Sequence, residues 1–261
     1  MFAAVIATRD HQWPGITRCD PAPDSDTPLI QLTEHSTEDW SGTGKSATGW
    51  LQLFAGFAVL VWLTVLVGLV IVRRGATGGN GWDGQVARWM AAHRPAWVTT
   101  VAGLVSVAGS AGVLIIGAIA FGVLVWRHTR RSGPAALAVL SLADTQVIVQ
   151  ITKGIVARRR PAIGLATAKF TGYAWPSGHS STVAAVAVSI SLVAATIGCS
   201  AVVLQRTRLI AATFAIAVAA SRVVLGAHWL SDVLMGGIVG STVAVLLSAP
   251  LLGRHPPHAD R

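Results

Sequence analysis

The sequence predicts an all-α protein, an integral membrane bundle of six transmembrane helices with one short interfacial helix. Three observations carry that prediction. Only 12% of the chain is charged, about half the ~25% usual for soluble domains, while 52% is apolar and the mean hydropathy is +0.60. Several apolar runs reach the roughly 20 residues that a helix needs to cross the hydrocarbon core. Arginines punctuate those runs instead of lining a separate soluble face. A bilayer offers no water to satisfy backbone polar groups, so runs of this length read as helices.

The elements follow in order. Residues 1–49 hold seven acids against Arg9, Arg18 and Lys45 and are rich in Pro, Ser, Thr, Gly and Asp. They are expected to be a mobile extramembrane tail, and their FAAVIAT stretch, short and with no basic residue before it, is not read as a signal peptide. The membrane domain is expected over 50–252, with a short C-terminal tail over 253–261. Its first span, 51–72, carries no charge and is stopped by Arg73 and Arg74. WDGQVARWMAAH then reads as an amphipathic helix lying in the interface, with Trp82 and Trp89 at headgroup level.

Residues 97–126 are uncharged and too long for one simple span. A break at Gly109-Ser110-Ala111-Gly112 divides them into a short or tilted segment, 97–108, and a second span from about 111 to 127. The third span covers about 135–157, and a loop of some 20 residues follows. Spans near 180–200, 207–225 and 231–252 complete the six. Cys19 and Cys199, 180 positions apart with no CxxC, predict neither a disulfide framework nor a zinc site.

Counting crossings places the ends of spans one, three and five on one face with the starts of two, four and six. The opposite face receives both termini and the loops 127–131 and 205–208, which together with Arg254 hold six arginines. The positive-inside rule makes that face cytoplasmic and the other extracytoplasmic. Beyond residue 49 the chain has four acids against 17 Lys and Arg. Such a balance suits anionic headgroups or a phosphate substrate; nucleic acid is not expected, because the basic residues sit between apolar spans.

Three polar islands fall on the extracytoplasmic face. The first is KGIVARRRP, with Lys153 and Arg160 seven apart and Pro161 ending the helix. The second is Pro176-Ser177-Gly178-His179. The third contains Ser221, Arg222, His228 and Asp232. Lys153, Arg160 and Arg222 offer fixed positive charge, and the arginine fork suits phosphate oxygens. Ser177 and Gly178 stand at a helix N-terminus, where free N–H groups and the helix dipole favour an anion. Four residues separate His228 from Asp232, one helical turn, so the aspartate can hold the imidazole in one tautomer. His179 can then protonate a leaving oxygen. Taken singly, each island has a plainer reading as a snorkelling anchor, a helix cap or a structural histidine. Independent placement of six cationic or titratable groups on one face is hard to reconcile with those readings.

Lys153-x6-Arg160-Pro161, Pro176-Ser177-Gly178-His179 and Ser221-Arg222-x5-His228-x3-Asp232 resemble the three-part signature of the type 2 phosphatidic acid phosphatases. That superfamily also holds bacterial non-specific acid phosphatases and vanadium haloperoxidases. The resemblance covers roughly residues 50–252. It implies a lipid phosphatase in which His228 attacks phosphorus, Asp232 orients it and His179 serves as general acid and then base. Lys153, Arg160, Ser177, Gly178 and Arg222 would bind the phosphoryl oxygens, with Pro161, Pro176 and Ser221 in support. It implies no metal and no cofactor, in keeping with Asp232 as the single acid expected near the motifs.

Arg158 and Arg159 are not signature positions and read as interfacial anchors. Asp144 lies nine residues, roughly 13 Å of helix, before Lys153, too far for direct chemistry, and is expected to make a buried structural hydrogen bond. Tyr173 and Trp175 are expected at headgroup level. Phosphatidic acid, phosphatidylglycerol phosphate and polyprenyl diphosphate all remain open as substrates. Two other classes compete: a membrane protein that binds or transports anions without chemistry, which leaves the His228–Asp232 spacing unexplained, and a vanadate-dependent haloperoxidase, which is otherwise a soluble fold.

Overall fold

The computed structural model describes residues 44–73, 81–162 and 164–253, with side chains from residue 49 onward. Most of the expected N-terminal tail and the C-terminal tail beyond Gly253 lie outside the described residues. Eight helices and no strand occur among those described. In chain order they are α1 (Gly44–Arg73), α2 (Trp82–His93), α3 (Ala96–Ala108), α4 (Ala111–Thr129), α5 (Ser132–Val156), α6 (Gly178–Thr196), α7 (Ala201–Val224) and α8 (Leu230–Leu252). Six of them, α1 and α4 to α8, are long and apolar enough to cross a membrane. The helix expected at the interface is α2, and its Trp82 and Trp89 are both exposed.

Local chemistry explains the boundaries. Pro95 separates α2 from α3, since it cannot donate to the helix and its ring fixes φ. The break after α3 falls where the sequence placed it: Gly109 donates its N–H to Val105 O and lies against Val218 of α7. With 13 residues, α3 is about 20 Å long at 1.5 Å per residue, short of a span. The fourth span begins at Gly178, where the sequence places a helix start, and the fifth at Ala201, earlier than the expected 207; Ser177 and Ser200 cap them through their side-chain oxygens.

Two apolar clusters hold the bundle. One joins Leu60 of α1, Val125 of α4, Leu137 and Ile148 of α5, Val193 of α6, and Val239 and Val243 of α8. The other joins Leu114, Leu142, Val183 and Val218 from α4 to α7. Most of α6 is enclosed, and its packing on α8 is set by small residues. Gly236 and Gly240, four apart, face Ser177 O and Ser181 O, where any side chain would collide with backbone. Small residues at this spacing let two membrane helices approach closely. Outward-facing Leu51, Trp62, Ile116, Ile216 and Ile238 remain exposed, as a lipid-facing surface requires. This architecture brings the C-terminal ends of α5 and α7 against the N-terminal ends of α6 and α8, where the polar islands lie.

Candidate active site

The signature side chains converge on a cavity of about 210 Å³. Lys153 enters it from the last turn of α5, Gly178 and His179 from the first turn of α6, and Arg222 from the last turn of α7. Arg160 and His228 reach it from the turns after α5 and α7. Sequence reasoning missed Gln146, Gln150 and Thr182, which extend the lining along α5 and α6. Their signal was available: 146, 150 and 153 share one helix face.

Positive charge here is only partly used up by the protein. Arg160 donates Nε–H to Thr171 O (3.1 Å) and Gly172 O (3.0 Å), and Nη1–H to Ala227 O (2.6 Å). Arg222 bonds Ser106 Oγ and lies 5.4 Å from the Phe170 ring centre. It is 7% exposed, and its Nε has no hydrogen-bond partner among the described residues. Lys153 makes no ion pair among them. Gly178 and His179 sit in the first turn of α6, where Ser177 Oγ takes the Ser180 N–H and the first two N–H groups have no intrahelical acceptor and lie at the positive end of the helix dipole. The arrangement is built to receive an oxyanion.

His228 is 2% exposed and lies between two opposite influences. Its Nε2 is 3.1 Å from Arg160 Nη1, and its Nδ1 is 3.4 Å from Asp232 Oδ2. A guanidinium can only donate, so Nε2 must be the acceptor nitrogen and Nδ1 carries the proton, within ion-pair distance of the aspartate but without a hydrogen bond to it. The Nε2 lone pair is therefore taken by Arg160, itself a residue of the cavity lining. Burial, with the nearby Arg160 and Arg222 charges, pulls the imidazole from 6.5 down to about 4 despite the opposing Asp232. His228 is therefore neutral at physiological pH, the form a nucleophile requires.

Residues 134–252 match the family model of the PAP2 superfamily. The chain's fold is similar to that of the transmembrane PAP2-type phosphatidylglycerolphosphate phosphatase from Bacillus subtilis. The two share 22% sequence identity and a TM-score of 0.61 over 76% of this chain and 94% of that one. No curated protein matches the chain.

Several expected residues stand elsewhere than predicted. Arg158 is no interfacial anchor: it is 0% exposed and is held between two carboxylates, 2.7 Å from Asp83 Oδ2 and 2.5 Å from Asp232 Oδ1. It also donates to Ser231 Oγ (2.7 Å) and lies near the Trp175 and Trp229 rings, at 5.9 and 5.6 Å. Asp232 is thus not the single acid near the motifs. Asp83, at the start of α2, joins it, brought there by a contact between segments almost 150 residues apart. Trp175 does not mark the headgroups: at 1% exposure it packs beside Gly68 of α1 and donates Nε1–H to Thr64 O. Tyr173 is exposed.

Ser177 is buried and does not line the cavity. Its Oγ accepts from Ser180 N–H and Oγ–H, and its own N–H goes to Asp232 O (3.0 Å), so it fixes the start of α6 against α8. Ser221 donates to Val218 O within α7, while Pro161 and Pro176 are buried at the turns that deliver Arg160 and Gly178. Arg159 is exposed. Asp144 is half-buried and away from the cavity, and no hydrogen bond ends on its carboxylate among the described residues.

Proposed function

We propose that the chain is an integral membrane lipid phosphatase that hydrolyses a lipid phosphomonoester or diphosphate through a phosphohistidine. The superfamily match and the six apolar helices support a membrane phosphatase. The finer reading rests on one observation: His228, with Nε2 accepting from Arg160 and Nδ1 3.4 Å from Asp232, lines a cavity ringed by Lys153, Arg160 and Arg222.

In this reading the phosphoryl group enters the cavity and Arg160 exchanges its contact with Nε2 for a phosphate oxygen. Lys153, Arg222 and the Gly178 N–H take the remaining oxygens and stabilise the charge that gathers on them in transfer. Nε2 attacks phosphorus, the Nε2–P bond forms, and the bond to the leaving oxygen breaks as His179 delivers a proton to that oxygen. The imidazole becomes cationic, and the Asp232 carboxylate offsets its charge through Nδ1–H. A water then gives its proton to His179 and attacks phosphorus, the Nε2–P bond breaks, and inorganic phosphate leaves. Ser177 acts here as the cap that aims Gly178, with Pro161, Pro176 and Ser221 holding the turns.

The substrates that fit are phosphatidic acid, phosphatidylglycerol phosphate and polyprenyl diphosphate, all of which present the same phosphoryl group. Purified protein in detergent should release phosphate from at least one of them, with block by vanadate and persistence in EDTA. His228→Gln should abolish the release and the acid-labile phosphoenzyme trapped on quenching. Full activity of that variant would sink the assignment. On the arginine pattern we place the site on the extracytoplasmic face. Cys199, between α6 and α7 at the other end of the bundle, should then resist an impermeant thiol reagent in intact cells.

A further inference from the structure

We infer that Arg158 and Asp83 are positioning residues for the nucleophile, acting through Asp232. The inference rests on the phosphohistidine reading but uses different atoms. Asp232 is 0% exposed and its two carboxylate oxygens have separate duties. Oδ1 accepts from Arg158 at 2.5 Å; Oδ2 accepts the Trp229 N–H at 2.9 Å and faces His228 Nδ1 at 3.4 Å. Were Oδ1 free, the carboxylate could rotate about its terminal torsion, which is broad in isolation. With the Trp229 N–H on Oδ2, the guanidinium on Oδ1 fixes the carboxylate plane and keeps Oδ2 3.4 Å from His228 Nδ1, an ion-pair distance that a small shift of the ring turns into a hydrogen bond.

Asp83 completes the device in charge as well as geometry. Arg158 alone would neutralise Asp232, and a neutralised orienter gives little support to an imidazole that turns cationic. With Asp83 at 2.7 Å on the other side, the group of Asp83, Arg158 and Asp232 keeps one net negative charge beside His228. Asp83 is itself fixed by Ser231, accepting its N–H at 2.9 Å and its Oγ–H at 2.5 Å. Ser231 precedes Asp232 in the first turn of α8, so α2 is pinned to the very turn that carries the orienter. Buried ion pairs seldom add net stability, and conformational specificity is one reason for keeping them.

The test uses the full chain in detergent, labelled with ¹⁵N-histidine, and reads both turnover and the His228 tautomer. The His228 signal is assigned by its loss in His228→Gln. In the wild type it should report an Nδ1–H imidazole. Arg158→Gln should bring in the Nε2–H tautomer and lower kcat by about 100-fold with KM within about 2-fold, below the ~10⁴-fold of losing a triad orienter outright. Asp83→Asn keeps the shape and removes the charge, so kcat should fall about 10-fold and Asp83→Glu should recover part of it. If Arg158→Gln does not fold, Asp83→Asn and the charge-balanced pair Asp83→Asn with Arg158→Gln carry the same readouts. An unchanged tautomer with unchanged kcat overturns the inference, and so does a rise in KM alone. A wild type that shows the Nδ1–H signal but hydrolyses no phospholipid refutes the enzyme reading and leaves the tautomer comparison to judge the positioning.

Discussion

Acidification should weaken this protein through His228 in a way that one substitution removes. Burial and the Arg160 and Arg222 charges hold the imidazole at about 4, against 6.5 for an ordinary histidine. The folded state therefore binds fewer protons at this site than the unfolded state. Stability is intact above about pH 6.5, falls as pH drops towards about 4 and is flat below it. At ~1.4 kcal/mol per pH unit the full loss is about 3 kcal/mol, and at pH 5 it is about 2 kcal/mol. For a domain of this size that corresponds to a thermal midpoint about 4–8 °C lower at pH 5 than at pH 7. The assay is thermal unfolding in detergent across pH 7 to 4.5, comparing wild type with His228→Gln. Other groups titrate in the same range, so the difference between the two proteins is the quantity to read. The midpoint should fall less in the variant by about that amount. Parallel curves would refute the claim that burial holds His228 neutral, and with it the ground for a ready nucleophile.

Three further outcomes follow from the packing. Gly240→Ala drives a methyl into Ser181 O and the Ala185 backbone and should lower stability by about 1–3 kcal/mol or more, whereas Gly237→Ala points into open space and should not, both read as thermal midpoints. Ala157→Gly relieves a left-handed residue at φ 49° that ends α5, and should raise stability by about 1 kcal/mol in the same assay. Gly178→Ala places its methyl 3.7 Å from Val149 Cγ1 and 3.9 Å from Lys153 Nζ, which leaves the fold room but intrudes on the proposed oxyanion space. Its kcat/KM should fall about tenfold, or ~1.4 kcal/mol, with the thermal midpoint unmoved.

What the sequence made legible, and what it hid, divides along the range of the interactions. Spans are dictated by local composition, so six of them and the break at Gly109 could be placed from hydropathy and glycine alone. The cradle was legible because each island carries its own chemistry within a few residues, as His228 and Asp232 do one turn apart. Arg158 was misread because its role depends on Asp83, 75 residues away, and nothing local separates a buried arginine from a snorkelling one beside Arg159. Trp175 failed for the same reason, since its partner Thr64 lies on α1. Ser177 was half right: its neighbours place it at a helix start, but only the fold shows that its N–H goes to Asp232 O rather than into the cavity.

One missed feature was local and could have been read. Gly236-x3-Gly240 is a close-packing pattern in an apolar helix, and it explains a geometric fact about the site. The approach of α8 to α6 lets Ser177 N–H reach Asp232 O, which sets the start of the α6 helix beside the turn that carries His228. A bulkier residue at Gly240 would push these helices apart at the level of Ser181, one turn inside the membrane from the first residue of α6. It would then separate the Gly178 N–H from His228, the proposed oxyanion donor and the proposed nucleophile. Stability and catalysis are coupled at that glycine: Gly240→Ala should lose kcat as well as thermal midpoint, while Ala157→Gly, at the end of a different helix, should change the midpoint alone.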